Sequence, residues 1–128
     1  MVPGMDADSG SPAPPFGRFL LQTGTAGPET DDTYEFTIAD WDGDGRPDLV
    51  AIKKSGTDTQ TTEVHILSGA SEFKEFLLQT PTALPETDET YDFAMADWDG
   101  GGRLNLVAIK KRGTDTGTTE VHVLGAAE

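Results

Sequence analysis

The chain contains one sequence twice. Phe19-Leu20-Leu21-Gln22-Thr23 returns as Phe76-Leu77-Leu78-Gln79-Thr80, Asp40-Trp41-Asp42-Gly43 as Asp97-Trp98-Asp99-Gly100, and Glu63-Val64-His65 as Glu120-Val121-His122. The offset is 57 residues each time, and residues 19–67 and 76–124 are identical at 37 of 49 aligned positions. Two stretches this alike must form the same structural unit. The fold is therefore two like modules, and a module of this size cannot bury its apolar face alone.

Within a repeat the pattern is β. Tyr34–Ala39 alternates large apolar with small or polar residues, a period of two. Leu49-Val50-Ala51-Ile52 is a short apolar run, suited to a strand covered on both faces. Glu63–Leu67 alternates again, and Phe19–Gln22 is a further short strand. Turn formers separate them: Gly43-Asp44-Gly45, Ser55-Gly56-Thr57-Asp58 and Ser68-Gly69. No stretch holds a 3.6-residue period for about ten residues, so no long helix is expected. Residues 1–15, rich in Pro, Gly, Ser and Asp, read as a flexible arm.

Four short strands per repeat is the arithmetic of a β-propeller blade. The expected fold is all-β. Strand order Tyr34–Ala39, Asp48–Lys54, Thr62–Leu67, Phe76–Thr80 makes residues 24–80 the first blade and 81–128 the second. Residues 16–23 are then an outer strand ahead of both, and the second blade has none of its own. Two blades do not close a ring, which takes about four to eight. A lone pair would leave blade faces bare, with residues such as Val50, Ile52, Val64 and Ile66 on them. The expected partner is the chain itself, in a cyclic homo-oligomer where residues 16–23 of one chain finish the second blade of the next. Three chains, giving six blades, are favoured over four, giving eight.

Charge narrows the function. Nine basic against 23 acidic residues give a net −14 over 128 residues, which disfavours nucleic acid because phosphate contacts need a basic face. The absence of cysteine excludes disulfides and a thiolate zinc site. No apolar run approaches a membrane span, and no signal peptide is visible.

Some of the acids stand in a pattern. Asp40-Trp41-Asp42-Gly43-Asp44-Gly45-Arg46-Pro47-Asp48 places carboxylates at positions 1, 3, 5 and 9, with glycine at the turn position 6. Calcium takes six to eight hard oxygens, which alternate side chains of a curled loop supply. Asp40, Asp42, Asp44 and Asp48 are the expected ligands, joined by the backbone carbonyl of Arg46. An EF-hand is excluded, since position 12 is Ala51 rather than Glu. The alternative is an acidic turn capping its own backbone. The second copy, Asp97, Asp99, Arg103 and Asn105, has Gly101 for Asp44 and Asn105 for Asp48. It is expected to bind weakly or not at all, on a loop loosened by three glycines. One calcium per chain follows. A site of modest affinity fills at extracellular calcium levels, a weak pointer to an extracellular location.

The Asp-x-Asp-x-Asp-Gly-x-x-Asp loop between the first two strands of a blade resembles the FG-GAP or VCBS repeats of integrin α-subunit propellers. The fuller pattern adds Leu49-Val50-Ala51-Ile52-Lys53, Thr62-Glu63-Val64-His65 and Phe76-Leu77-Leu78. It resembles the Psathyrella velutina lectin-like propellers over residues 16–128. That resemblance implies calcium in the loops and sugar, of N-acetylglucosamine or sialic acid type, between blades. The family ring has seven blades. Seven is not a multiple of two, so a ring of this chain differs in blade number.

Residues of a type that binds sugar occur once per blade: Trp41 and Trp98, Tyr34 and Tyr91, His65 and His122. Each has a structural alternative: packing beside the loop for the tryptophans, core or strand-end packing for the tyrosines, satisfying backbone groups at a blade interface for the histidines. No catalytic residues are expected, since no Ser-His-Asp setting and no phosphate-cradling loop is present. The chain reads as a non-enzymatic calcium-binding lectin-like propeller. The alternative is a structural or protein-interaction scaffold, natural or engineered, in which calcium is purely structural.

Overall fold

The structure is a computed structural model, and it describes residues 14–125. Seven strands run β1 Tyr34–Ala39, β2 Asp48–Lys53, β3 Thr61–Leu67, β4 Phe76–Pro85, β5 Tyr91–Ala96, β6 Asn105–Lys110 and β7 Glu120–Leu124. Among the described residues there is no helix. The strands form two antiparallel meanders, β1-β2-β3-β4 and β5-β6-β7. Registers repeat across the duplication: Phe36 faces Ala51 and Phe93 faces Ala108, while Ile52 faces Val64 and Ile109 faces Val121. The expected inner strands agree with these to within a residue.

β4 is longer than the expected Phe76–Thr80. It continues through two prolines, pairing Pro81 with Glu63 and Pro85 with Thr61 across a register shift. Proline lacks the N–H that an inner strand must donate, but β4 lies at the sheet edge, where proline is tolerated. Thr82 donates its hydroxyl to the Thr62 carbonyl at 2.7 Å, and Leu84 is buried. These contacts carry the first sheet five residues beyond the expected blade boundary at residue 80.

The two sheets stack face to face. Val50, Ile52, Val64 and Ile66 from the first meet Phe93, Leu106 and Ala108 from the second in one core, with Leu84 at its margin. Burying these side chains is the main favourable contribution, about 1.5–3 kcal/mol for each large one. The expectation that Val50, Ile52, Val64 and Ile66 lie bare is therefore corrected: within one chain the second sheet covers them. On the outer faces, exposed apolar residues include Phe36 and Ile38 of the first sheet and Val121 of the second.

Residues 16–23 form no strand within the chain. A strand needs a ladder partner, and the edge of β4 is not taken up by this segment. Phe16, Phe19 and Leu20 are exposed instead. The segment after them turns back over the first sheet, where Ala26 N–H donates to the Phe73 carbonyl at 2.9 Å. Of the expected arm, residues 1–13 lie outside the described residues.

Candidate metal centre and ligand groove

The β1–β2 loop curls because Gly43 and Gly45 take left-handed backbone angles, φ 75° and 86°, which glycine adopts without steric cost. The curl is wound around Asp40. Its Oδ1 accepts N–H groups from Gly43 at 2.9 Å and Asp44 at 3.2 Å, and its Oδ2 accepts Gly45 N–H at 2.9 Å. The carboxylates of Asp40, Asp42 and Asp48 converge, each offering an oxygen within 4.8 Å of the others. Calcium–oxygen bonds of about 2.5 Å allow ligand oxygens up to about 5 Å apart, so the cluster suits a hard divalent cation.

Asp44 is not in that cluster. Its Oδ1 accepts the Arg46 N–H at 2.9 Å and so turns along the loop. Asp48 is fully buried. Its Oδ2 accepts Trp41 N–H and its Oδ1 accepts Gly69 N–H, both at 2.8 Å. Gly69 is a contributor that sequence reasoning left as a simple turn residue. A Cβ there would lie 1.8 Å from the Pro47 carbonyl oxygen, so only glycine allows the β3–β4 turn to approach the loop.

Electrostatics at the centre are those of crowded anions. The Asp42 carboxyl titrates above the ordinary aspartate value, first through lost hydration, then through repulsion from Asp48 and Asp44, against a hydrogen bond from the Asp44 backbone. A bound cation relieves that repulsion.

The second loop keeps the shape of the first. Gly100 and Gly102 repeat the φ values at 74° and 87°. Asp97 accepts Gly102 N–H at 3.0 Å, and Asn105 Oδ1 accepts Trp98 N–H at 3.0 Å. The three glycines therefore hold a defined curl. What differs is charge, since Asn105 makes the backbone contact of Asp48 without the negative charge.

The six sugar candidates do not share one place. Trp41 packs against the core margin and lines a groove of about 700 Å³ between the sheets, together with Leu78, Thr80, Thr82 and Met95. Trp98, its counterpart, is 71% exposed. Tyr34 and His65 line a hollow on the outer face of the first sheet with Phe76 and Gln79. Tyr34 stacks on Phe36 at 6.0 Å between centroids, and His65 lies edge-on to Phe76 and bonds Glu63 Oε1 at 3.0 Å. Tyr91 stacks on Phe93 at 5.9 Å and lies 6.5 Å from His122, which bonds Glu120 at 3.1 Å.

Comparison with known proteins agrees with this architecture at family level. Searches of curated proteins and of solved structures return no match. The profile of the FG-GAP-like repeat family matches residues 40–108, from the first acidic loop through β2–β5 and into β6. That span is more than half of the chain, and the chain belongs to the FG-GAP-like repeat family.

Proposed function

We propose that this chain is a calcium-ordered, non-catalytic propeller-type binding module, and that its ligand is a carbohydrate of N-acetylglucosamine or sialic acid type. The observation that carries the calcium reading is the convergence of Asp40, Asp42 and Asp48 within 4.8 Å. Their oxygens would hold the ion, whose charge would offset the repulsion among them and tie β2 to the β3–β4 turn through Asp48. Ligand binding to the folded state alone stabilises it by mass action, about 2.7 kcal/mol at a hundredfold excess over Kd. In the second loop, Asp97 and Asp99 would hold an ion more weakly.

The inter-sheet groove supports the carbohydrate reading. Its apolar lining suits a pyranose C–H face or an acetyl methyl, and Thr80 and Thr82 line its wall beside Trp41. Sugar sites combine an aromatic platform with a few placed polar groups. The experiment is calcium titration by calorimetry, followed by a glycan array with and without chelator. One strong site per chain and chelator-sensitive binding to amino sugars or sialosides are expected. Two equal sites or none would sink the calcium reading. A blank array would leave the scaffold reading, which the uncovered apolar faces of both sheets favour.

A further inference from the structure

The contact between the two sheets has an unused duplicate. Because the repeats align at 57 residues, each residue at the junction has a counterpart on an outer face. Val64 is 5% exposed and its counterpart Val121 is 62%; Phe93 is 8% exposed and its counterpart Phe36 is 47%. Thr62 is fully buried, while Thr119 is exposed. The outer face of β5–β7 thus repeats the inner face of β1–β4, and the outer face of β1–β4 repeats the inner face of β5–β7. By the repeat, the two outer faces stand to each other as the two inner faces do.

We infer that the outer β5–β7 face of one copy receives the outer β1–β4 face and residues 19–23 of a second copy, head to tail, through the contacts that already join the two sheets within a chain. The inference rests on the propeller-type reading and adds to it a defined junction. Within the chain, Thr62 Oγ1 donates to the Pro85 carbonyl at 2.8 Å, and Thr87 N–H donates to the Lys54 carbonyl at 2.7 Å. Displaced by 57, these become Thr119 to Pro28 and Thr30 to Lys111 of neighbouring copies. Val64 faces Thr80 and Ile66 faces Leu78 in the β3–β4 ladder. In trans, Val121 faces Thr23 and Val123 faces Leu21, which gives β7 an outer strand. The groove beside Trp41 is recreated beside Trp98, whose exposure the junction removes.

The segment of residues 19–30 has two resting places. In the single chain, residues 25–30 line the hollow over the first sheet beside Tyr34 and Phe36, held by Ala26 on Phe73 and by Lys74 Nζ on the Gly24 carbonyl at 2.7 Å. A neighbour's β5–β7 face takes that place in the junction, so this segment leaves one dock as it enters the other. A heterologous contact of this kind closes a ring when its rotation permits.

Native mass spectrometry tests this with two single-face variants, Val121→Lys and Ile38→Lys, both at exposed positions where the isolated chain tolerates a charge. The native protein at tens of micromolar is expected as a three- or four-chain species. Each variant alone is expected at single-chain mass, and an equal mixture at two-chain mass, because one intact face of each meets the other. Thr23→Cys and Val121→Cys chains, in a protein otherwise free of cysteine, are expected to cross-link on mixing. Leu21→Cys with Val121→Cys, two residues out of register, is not. Single-chain mass for the native protein at every concentration overturns the inference, as does self-association of Val121→Lys alone, which marks a symmetric interface. Calcium titration of the same samples reports on the underlying reading independently.

Discussion

The buried carboxylate of Asp48 accepts the backbone N–H of Gly69, 21 residues further along the chain, at 2.8 Å. Its other oxygen accepts Trp41 N–H. One side chain at the start of β2 thus anchors both the acidic loop and the turn that leaves β3. A buried carboxylate is costly unless hydrogen-bonded, and these two donors hold it in place beside Asp40 and Asp42. The geometry of the candidate metal centre depends on a residue outside the acidic motif.

Gly69→Ala is expected to destabilise the chain by about 2–4 kcal/mol. The added methyl would sit 1.8 Å from the Pro47 carbonyl oxygen, so the turn must retreat and Asp48 loses a donor. Thermal melting checks this, and calcium affinity should fall with stability. An unchanged melting temperature would show that the turn relaxes without cost.

The second loop supplies a natural control for charge at position 9. Asp48→Asn is expected to keep the Trp41 N–H contact, as Asn105 does for Trp98, but to turn its amide NH2 toward the Gly69 N–H that Asp48 Oδ1 now accepts, so the calcium-free protein should also lose about 1–3 kcal/mol. Calcium affinity should drop at least about tenfold, a loss of about 1.4 kcal/mol. Asp44→Gly should cost less, since Asp44 lies outside the three-carboxylate cluster. Conversely, Asn105→Asp restores three carboxylates to the second loop and should raise the calorimetric stoichiometry from one to two. A larger loss for Asp44→Gly than for Asp48→Asn would reassign the ligands.

The pieces legible in the sequence are those written in local pattern. Alternation gave β1 and β3 their bounds, and the spacing of Asp40, Asp42 and Asp48 puts three carboxylates on one loop, where they converge. Pairing across the chain left weaker traces. Nothing local says that Pro81 and Pro85 extend β4, because their tolerance depends on the strand being at an edge. Nothing in the run Val50–Ile52 says which neighbour covers it, so the bare faces fell on the wrong members of each repeated pair. Gly69 reads as an ordinary turn residue until the Pro47 carbonyl stands against it. Asp44 shares the spacing of its neighbours, and nothing in that spacing says that its Oδ1 accepts the Arg46 N–H.

Glu35 couples the sheets by a polar contact that packing alone does not provide. Its Oε2 accepts Phe93 N–H from β5 at 3.1 Å, and its Oε1 lies 3.9 Å from the largely buried Lys54 ammonium. Glu35→Ala leaves both donors without that partner and is expected to cost about 1–3 kcal/mol. Urea unfolding should show the midpoint falling with the slope unchanged. A change below about 0.5 kcal/mol would mean that water replaces the carboxylate.

Glu63 sets an acid-side dependence of stability that a single hydroxyl controls. Its carboxyl titrates below the ordinary value of 4.5, chiefly because Thr59 donates to it, with the His65 ring and the charge of Lys53 adding to the effect against some lost hydration. The Thr59 Oγ1 to Glu63 Oε2 distance is 2.7 Å. A depressed folded-state pKa means that the unfolded chain takes up the proton first. The contribution is therefore complete above the unfolded value and drains away as pH falls through the folded one. Glu120 repeats the arrangement with Thr116 as the first cause, so two such groups act over the same interval. Unfolding midpoints from about pH 6 to about pH 3 should fall less steeply for Thr59→Val than for the native protein, and less steeply still when Thr116→Val is added. Both hydroxyls are at exposed positions, so the substitutions should leave the fold intact, and parallel pH profiles for all three proteins would remove the threonines from the account.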